Sequence, residues 1–291
     1  MSRYLVYGSQ GWIGNMVTKY MDDNKINYLV GKSRVDNVEE LKEEIERINP
    51  THVVCLIGRT HGVIDGKVYP TIDYLEQKGK LKENVRDNLF SPLVLAILCS
   101  KNNIHLTYLG TGCIFNTIYD SSEYVFTESD LPNFFDSSYS TVKGFTDRLM
   151  HLFQDSVLNL RIRMPIVAEP GPRNFITKIT SYEKICSMPN SMTVLDELIP
   201  VAIEMAEKGK TGTVNLVNPG VISHNEILEM YREIVDPSFT WKNFTYEEQM
   251  KVIAVGRSNN HLDTTLLETE AKVSTIHEAV KTTLIKYKTY K

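Results

Sequence analysis

The sequence predicts an α/β protein, a doubly wound parallel sheet followed by a smaller C-terminal lobe. Three observations carry this expectation. The chain opens on a short apolar run, Tyr4–Tyr7, followed by glycines at Gly8, Gly11 and Gly14 and a helical pattern through Asn15–Asp23. Apolar runs of strand length then alternate with amphipathic stretches as far as about Pro165, as a parallel sheet with crossover helices requires. Past Val167 that regularity is lost. Residues 1–165 are therefore expected to form a cofactor domain. Residues 166–291 are expected to form mainly a substrate lobe, with some elements returning to the sheet.

A strand, a glycine-rich turn and a helix N-terminus make a site for a pyrophosphate. Glycine lets the backbone approach the phosphate, and the free N–H groups and dipole of the helix favour its charge. The spacing Gly8, Gly11, Gly14, with Trp12 and Ile13 between the last two, differs from the commoner G-x-G-x-x-G. Its place between strand and helix is that of a Rossmann-type dinucleotide turn. Asn27–Val30 reads as strand two and ends in Gly31-Lys32-Ser33-Arg34. An acidic residue there would bind a free ribose 2′-hydroxyl, whereas a cation accommodates a 2′-phosphate. Arg34, with Lys32 and Ser33 near it, therefore favours NADPH.

Asp36–Glu39 has the form of a capping box opening a helix over Val38–Ile48. His52–Ile57 reads as strand three, apolar throughout as in a sheet covered on both faces. Arg59–Lys78 has the mixed character of a lid or substrate-facing loop. A long helix is expected from about Leu81 to Cys99, although Pro92 lies inside it. Strand four, His105–Leu109, leads into Gly110-Thr111-Gly112-Cys113, and Gly110–Pro132 reads as loop. A helix begins near Ser138, and strand five is Val157–Ile162. Beyond it come a helix at Leu198–Lys208, a strand at Thr213–Val217, and a capping box at Ser223–Glu226 that opens a further helix.

The formal net charge of −4 argues against a general binder of nucleic acid or of acidic membranes. No stretch has the length of a membrane-spanning helix, and the N-terminus shows no signal-peptide pattern. Cys55, Cys99, Cys113 and Cys186 are scattered without metal-ligand spacing, a usage that fits a reducing cytoplasm.

Tyr139 and Lys143 stand one helical turn apart and share a face. The chain holds four Tyr-x-x-x-Lys pairs, but only this one opens a helix between strands four and five, where the sheet meets the cofactor. A lysine ammonium beside a phenol favours the phenolate. Such a tyrosine can give a proton to a ketone oxygen as hydride arrives, and Thr111 could hold the same oxygen.

Together the glycine turn, Thr111 and Tyr139/Lys143 resemble the extended short-chain dehydrogenase/reductase family. The resemblance sharpens on Gly-Thr-Gly-Cys-Ile-Phe (110–115), Arg-Met-Pro-Ile (163–166), Pro-Arg-Asn-Phe-Ile-Thr-Lys (172–178), Pro-Asn-Ser-Met-Thr-Val-Leu-Asp-Glu-Leu (189–198), Asn-Pro-Gly-Val-Ile-Ser-His-Asn-Glu-Ile-Leu-Glu-Met-Tyr (218–231) and Arg-Ser-Asn-Asn (257–260). These runs are similar to those of the bifunctional nucleotide-rhamnose synthases. The resemblance implies NADPH as cofactor and a 4-keto-6-deoxy nucleotide sugar as substrate, supplied by a 4,6-dehydratase. It further implies an epimerase/reductase in which Cys113 and Lys178 exchange the protons at carbons 3 and 5. Asn174 and Arg257 match substrate-holding positions, and Asn88 matches a structural asparagine. The helices near Leu81–Cys99 and Tyr139–Leu152 match a homodimer interface. The segment Ile57–Gly62 departs from the family's run after strand three, which leaves His61 without an assigned role. A reductase without epimerase activity, which has no use for a thiol at position 113, is one rival. A non-catalytic regulatory subunit of the same family is another. The related GDP-fucose synthases pair their cysteine with a histidine, and none lies between His151 and His224.

Overall fold

The computed structural model describes residues 2–117 and 124–290. Six parallel strands form the central sheet: β1 (Tyr4–Tyr7), β2 (Tyr28–Val30), β3 (His52–Cys55), β4 (His105–Thr111), β5 (Val157–Ile162) and β6 (Gly212–Asn215). Their order is β2-β1-β3-β4-β5-β6. The apolar runs of β1, β3, β4 and β5 become strands buried on both faces, whereas β2 at the sheet edge leaves Leu29 and Val30 exposed. Leu5, Tyr7, Val53, Cys55, Leu106 and Tyr108 pack against Leu41 and Ile45 of helix Val38–Ile48 and Leu95 and Cys99 of helix Ser91–Lys101. On the opposite face Tyr4, Val6 and Val54 meet Val17 and Met21 of helix Trp12–Asp23, with Leu195, Ile199 and Ile203 of helix Leu195–Glu207. The sheet is thus wound on both sides, and its strand order reverses between β1 and β3. At such a switch point the carboxyl ends of the strands open a crevice. The commoner six-strand order carries a further strand outside β2. Here helix Val38–Ile48 ends at Asn49, in a left-handed conformation, and the chain turns directly into β3.

Several elements differ in detail from expectation. Asp36 makes no capping box: Asn37 occupies the cap position without a side-chain bond, and the Asp36 carboxylate pairs with Arg34 at 2.9 Å. The long helix is three pieces, Leu81–Val85, a π turn over Arg86–Phe90, and Ser91–Lys101. Pro92 stands at the beginning of the last piece, where its missing N–H costs least. Within Arg59–Lys78 lies a hairpin, Gly62–Ile64 with Lys67–Tyr69, turned by Asp65 and Gly66 at φ 47° and 78°. The described part of the Gly110–Pro132 segment includes a short strand, Val125–Phe126, paired with His261–Leu262; residues 118–123 of that segment lie outside the described residues.

A second core lies beyond the sheet. Ile176 and Ile179 of helix Phe175–Ile179 pack with Ile227, Leu228 and Tyr231 of helix His224–Ile234 and with Val280 and Leu284 of helix Ile276–Tyr287. The Ser223–Glu226 capping box forms as the sequence predicts. Among the described residues no helix is long and apolar enough to cross a membrane.

Candidate active site

The glycine turn is built for close approach. Gly8 has φ 81°, a left-handed conformation that disfavours any side chain. A Cβ on Gly14 would lie 2.1 Å from the Gly8 carbonyl oxygen, so the first turn of helix Trp12–Asp23 can sit directly against the end of β1. Gly11 caps that helix with no side chain on its N–H groups, leaving donors for an anion. This cradle fits a dinucleotide pyrophosphate. Gly11, Trp12, Ile13 and Gly14 line a cavity of about 450 Å³ at the carboxyl ends of the strands. A second, adjoining cavity of about 320 Å³ is lined by Gly8, Gly31, Ser33 and Arg34, together with Arg59 and Arg86. Arg34 therefore stands at this second cavity, paired with Asp36, which also lines it. The backbone N–H groups of Lys32 and Ser33 both donate to the buried Glu44 carboxylate, at 2.9 and 3.0 Å. That carboxylate fixes the turn after β2, and the Lys32 side chain does not line the cavity.

The first cavity gathers Thr111, Cys113, Tyr139, Lys143, Lys178 and Arg257, which lie far apart in sequence. Thr111 ends β4. Its hydroxyl accepts the Cys113 backbone N–H at 3.1 Å, and the Cys113 carbonyl accepts the Ser140 hydroxyl at 2.9 Å. Cys113 is thus pinned from the strand on one side and from helix Ser138–Met150 on the other. Tyr139 and Lys143 project from that helix, whose cap is the Ser137 hydroxyl. Both are buried. Burial pushes the Tyr139 phenol above its usual range, with the Thr111 hydroxyl acting in the opposite sense. Burial pushes the Lys143 ammonium down to about 8. Contrary to the sequence expectation, Lys143 does not lie on the Tyr139 phenol. Its Nζ donates to the hydroxyl of Tyr108, on the strand below. The two side chains share a helix face, but the hydroxyl of Tyr108 offers the closer acceptor.

Lys178 lies on helix Phe175–Ile179 and is held below its ordinary value by burial and then by the neighbouring Arg173 guanidinium. Arg173 in turn meets His61 Nε2 at 2.5 Å, and burial followed by Arg173 holds that imidazole neutral, down to about 4. Asn174 does not line the cavity. Its side chain caps helix Phe175–Ile179 and donates to the carbonyls of Val167 and Glu169 at 2.8 and 2.9 Å, so both N–H donors of this fully buried amide are committed to backbone. Arg257 does reach the cavity, where its Nη2 pairs with Asp73 at 2.7 Å. Asn88 sits in the π turn. Its side chain takes the Arg59 N–H and donates to the Arg59 carbonyl, each at 2.9 Å.

Arg163, Arg173 and Ser140 also line the cavity, although no sequence spacing singled them out. Five cations line it, namely Lys143, Arg163, Arg173, Lys178 and Arg257, and among the described residues no carboxylate does. Such a cavity suits an anionic ligand with a carbonyl to be polarised.

No family model matches the chain. Relatives are nevertheless close. A protein of Acanthamoeba polyphaga mimivirus is 55% identical over 268 residues, spanning 91% of each chain. The crystal structure of a UDP-rhamnose synthase from the same virus covers 98% of this chain and 99% of its own, at 52% identity and a TM-score of 0.93. The Arabidopsis thaliana bifunctional dTDP-4-dehydrorhamnose 3,5-epimerase/dTDP-4-dehydrorhamnose reductase is 46% identical over 273 residues, covering 92% of this chain and 87% of that protein. By these matches the chain belongs to the nucleotide-rhamnose synthases, the bifunctional 3,5-epimerase/4-reductases of the extended short-chain dehydrogenase/reductase family.

Proposed function

We propose that this chain converts UDP-4-keto-6-deoxy-D-glucose to UDP-L-rhamnose, epimerising carbons 3 and 5 and reducing carbon 4 with NADPH. The observation that carries this reading is the convergence of Thr111, Cys113, Tyr139, Lys143 and Lys178 on one cavity beside the glycine cradle. Bound NADPH supplies a hydride. Gly8, Gly11, Trp12, Ile13 and Gly14 hold its pyrophosphate, and Arg34 its 2′-phosphate. Thr111 and Tyr139 polarise the ketone at carbon 4, which acidifies the hydrogens at carbons 3 and 5. Cys113 and Lys178 move those protons on opposite faces of the sugar, the sulfur from the β4 wall and the ammonium from the second lobe. Tyr139 gives its proton to the carbon 4 oxygen during reduction, with Lys143 beside the cofactor ribose. Arg257 exchanges Asp73 for the substrate diphosphate. Residues 1–165 serve the cofactor and residues 166–291 mainly the substrate.

The dehydratase that would supply this ketosugar is fused in relatives such as an Arabidopsis thaliana trifunctional enzyme, 43% identical over 289 residues, of which this chain spans 41%. Leu81, Val85, Phe90, Phe145 and Leu152 are exposed on the long helix and on helix Ser138–Met150 and the turn that follows it. They support a homodimer through these helices, and a monomer mass by light scattering would remove that proposal. The four free thiols support a cytoplasmic setting.

The deciding experiment incubates the protein with UDP-4-keto-6-deoxy-D-glucose in deuterated water and follows the sugar by NMR. Deuterium should enter carbons 3 and 5 without NADPH, and UDP-L-rhamnose should form with it. Reduction without deuterium uptake would leave a reductase alone. Neither event would leave a regulatory protein.

A further inference from the structure

The cavity contains a buried charge that the proposed chemistry has not used. Arg161 and Arg163 stand two residues apart at the end of β5, and both are buried, at 0% and 1% exposure. Their surroundings differ. Arg161 meets the Asp147 carboxylate with Nε at 2.9 Å and Nη2 at 2.8 Å. Arg163 has only neutral acceptors: the Ser258 hydroxyl at 3.2 Å, the Ser258 carbonyl at 2.9 Å and the Asn190 side-chain oxygen at 2.8 Å. Its Nε has no hydrogen-bond partner. A guanidinium taken out of water without an anion is strongly disfavoured. Neutral acceptors alone do not account for a charged donor there. The arrangement is what an anion formed only during the reaction would need.

The turn that holds Cys113 lies against this arginine. A Cβ on Gly112 would lie 3.0 Å from Arg163 Cγ and 3.2 Å from its Cδ, so the arginine stem lies directly on the residue before the thiol. Asn260 ties the two together. Its amide donates to the carbonyls of Gly112 and Phe115, each at 2.9 Å, and to the Ser258 hydroxyl at 3.0 Å. The Arg-Ser-Asn-Asn run thereby fixes both the cation and the cysteine turn. Cys113 is also the one cysteine of the four that is not buried, and it lines the cavity with Arg163. Burial lowers the Arg163 guanidinium, and negative charge on Cys113 acts to raise it again.

We infer that Arg163 is a positioning residue that stabilises the thiolate of Cys113 and thereby makes it the base of the epimerisation. The consequence for the sugar rests on the proposed function, whereas the pairing itself does not. In the step, the sulfur lone pair of the thiolate takes the proton on carbon 3 or 5. The C–H electron pair moves into the enolate, whose oxygen lies at Tyr139 and Thr111. The Lys178 ammonium then gives a proton to the opposite face. The thiol proton returns to the Lys178 amine through solvent, and the site is restored with no net change in charge.

The test uses the full-length protein without any ketosugar, so it reads the pairing independently of the substrate. Iodoacetamide modification of Cys113 is followed by mass spectrometry at pH 7 and at pH 9.5 in the wild type, Arg163→Met and Arg163→Lys. The other titratable groups around the cavity are Tyr139 and Lys143 on helix Ser138–Met150, His61 after β3, Arg173 and Lys178 before and on helix Phe175–Ile179, and Tyr182 and Arg257. All are unchanged in these variants. Arg163→Met should be modified about tenfold more slowly than wild type at pH 7, and the difference should close at pH 9.5. Arg163→Lys, which keeps the charge, should stay within about threefold of wild type. Equal rates for wild type and Arg163→Met at pH 7 would overturn the inference, as would a deficit that persists at pH 9.5 and so reflects access. If Arg163→Met fails to fold, thiolate absorbance at pH 7 in the wild type is compared with that of Cys113→Ser. A difference is expected, and its absence overturns the pairing.

Discussion

Tyr139 is a buried phenol that stays protonated in the protein as it stands, because burial opposes its ionisation. For the proton-donor role proposed for it, this is the useful state. Tyr139→Phe should lower ketosugar reduction by roughly 10²- to 10⁴-fold, while NADPH binding, read by fluorescence, stays near wild type. Lys143 sets a second expectation. Its folded-state pKa is lowered to about 8, so the ammonium is charged below that pH and neutral above it. The kcat/KM for reduction, which reports ionisations of the free enzyme, should therefore fall as pH rises through about 8. A profile flat to pH 9.5 would remove the need for its charge. Thr111 was legible in the sequence as a strand end and Tyr139 with Lys143 as a pair one helical turn apart, whereas the role expected of Cys113 came from the family resemblance. Lys178 became legible only through a longer matching run. Arg163 and Arg173 carried no sign of their own, since an isolated arginine is ordinarily a surface residue. Arg163 is buried and Arg173 half-buried, each bonded to no carboxylate, which only the three-dimensional packing reveals. Asn174 misled for a related reason. An asparagine beside a ligand and one capping a short helix are the same letter, and its amide is spent on Val167 and Glu169.

The π turn at Arg86–Phe90 shows how an element can carry a site. It places Asn88 so that both its amide groups lock onto the Arg59 backbone, with a further bond to Asn84 at 2.9 Å. The Asn88 carbonyl, freed from the regular helix, accepts the Thr146 hydroxyl of helix Ser138–Met150 at 2.7 Å. The turn thus joins the chain leaving β3 to the helix that presents Tyr139 and Lys143. Asn88→Ala leaves the Arg59 N–H and carbonyl without their partner and should cost about 2 kcal/mol by urea unfolding. Activity should fall with it, because the helix that carries Tyr139 and Lys143 loses one of its supports. An unchanged unfolding midpoint would mean that water replaces the amide without loss. Pro92 signalled an interruption here, but not its kind, since the π geometry depends on contacts from other helices. Capping shows the same boundary. Ser223–Glu226 formed its box because the hydroxyl stands at the cap, whereas Asp36 precedes the cap residue Asn37 by one position and pairs with Arg34 instead. The hairpin at Gly62–Tyr69 did leave a sign, an Asp65-Gly66 pair between Ile64 and Lys67, which suits a tight turn with positive φ.

At the scale of the molecule, the apolar runs and their alternation with helices fixed a parallel sheet covered on both faces. The strand order had to come from the structure, because it depends on how far each crossover reaches. The same sheet depends on an ion pair that no pattern announced. Asp147, on helix Ser138–Met150, accepts from Arg161 of β5 in a bidentate grip and from Asn159 at 2.9 Å. Arg161 also donates to the Thr127 carbonyl at 3.1 Å, so the pair joins helix, sheet and the segment after the Gly110 turn. Although burial opposes it, hydrogen bonding and the guanidinium charge hold the Asp147 carboxyl below its usual range. Asp87 and Glu44 are lowered in the same direction by their own partners. A carboxyl with a depressed folded-state pKa contributes stability that is present above its unfolded value, about 3.9 for Asp. That contribution is lost as pH falls through the folded value. Urea midpoints should therefore hold steady from pH 7 to about 5 and drop steeply below about 4. Arg161→Met, which strands the Asp147 charge in the interior, should cost roughly 3–5 kcal/mol at pH 7. Joint replacement as Asp147→Leu with Arg161→Met should recover much of that loss, because it removes both charges from a dry site. In the double variant the fall in stability below pH 4 should also be shallower. If the single and double variants lose stability equally, packing around Phe115, whose ring lies 4.9 Å from the Arg161 guanidinium carbon, and not charge, is what this arginine supplies.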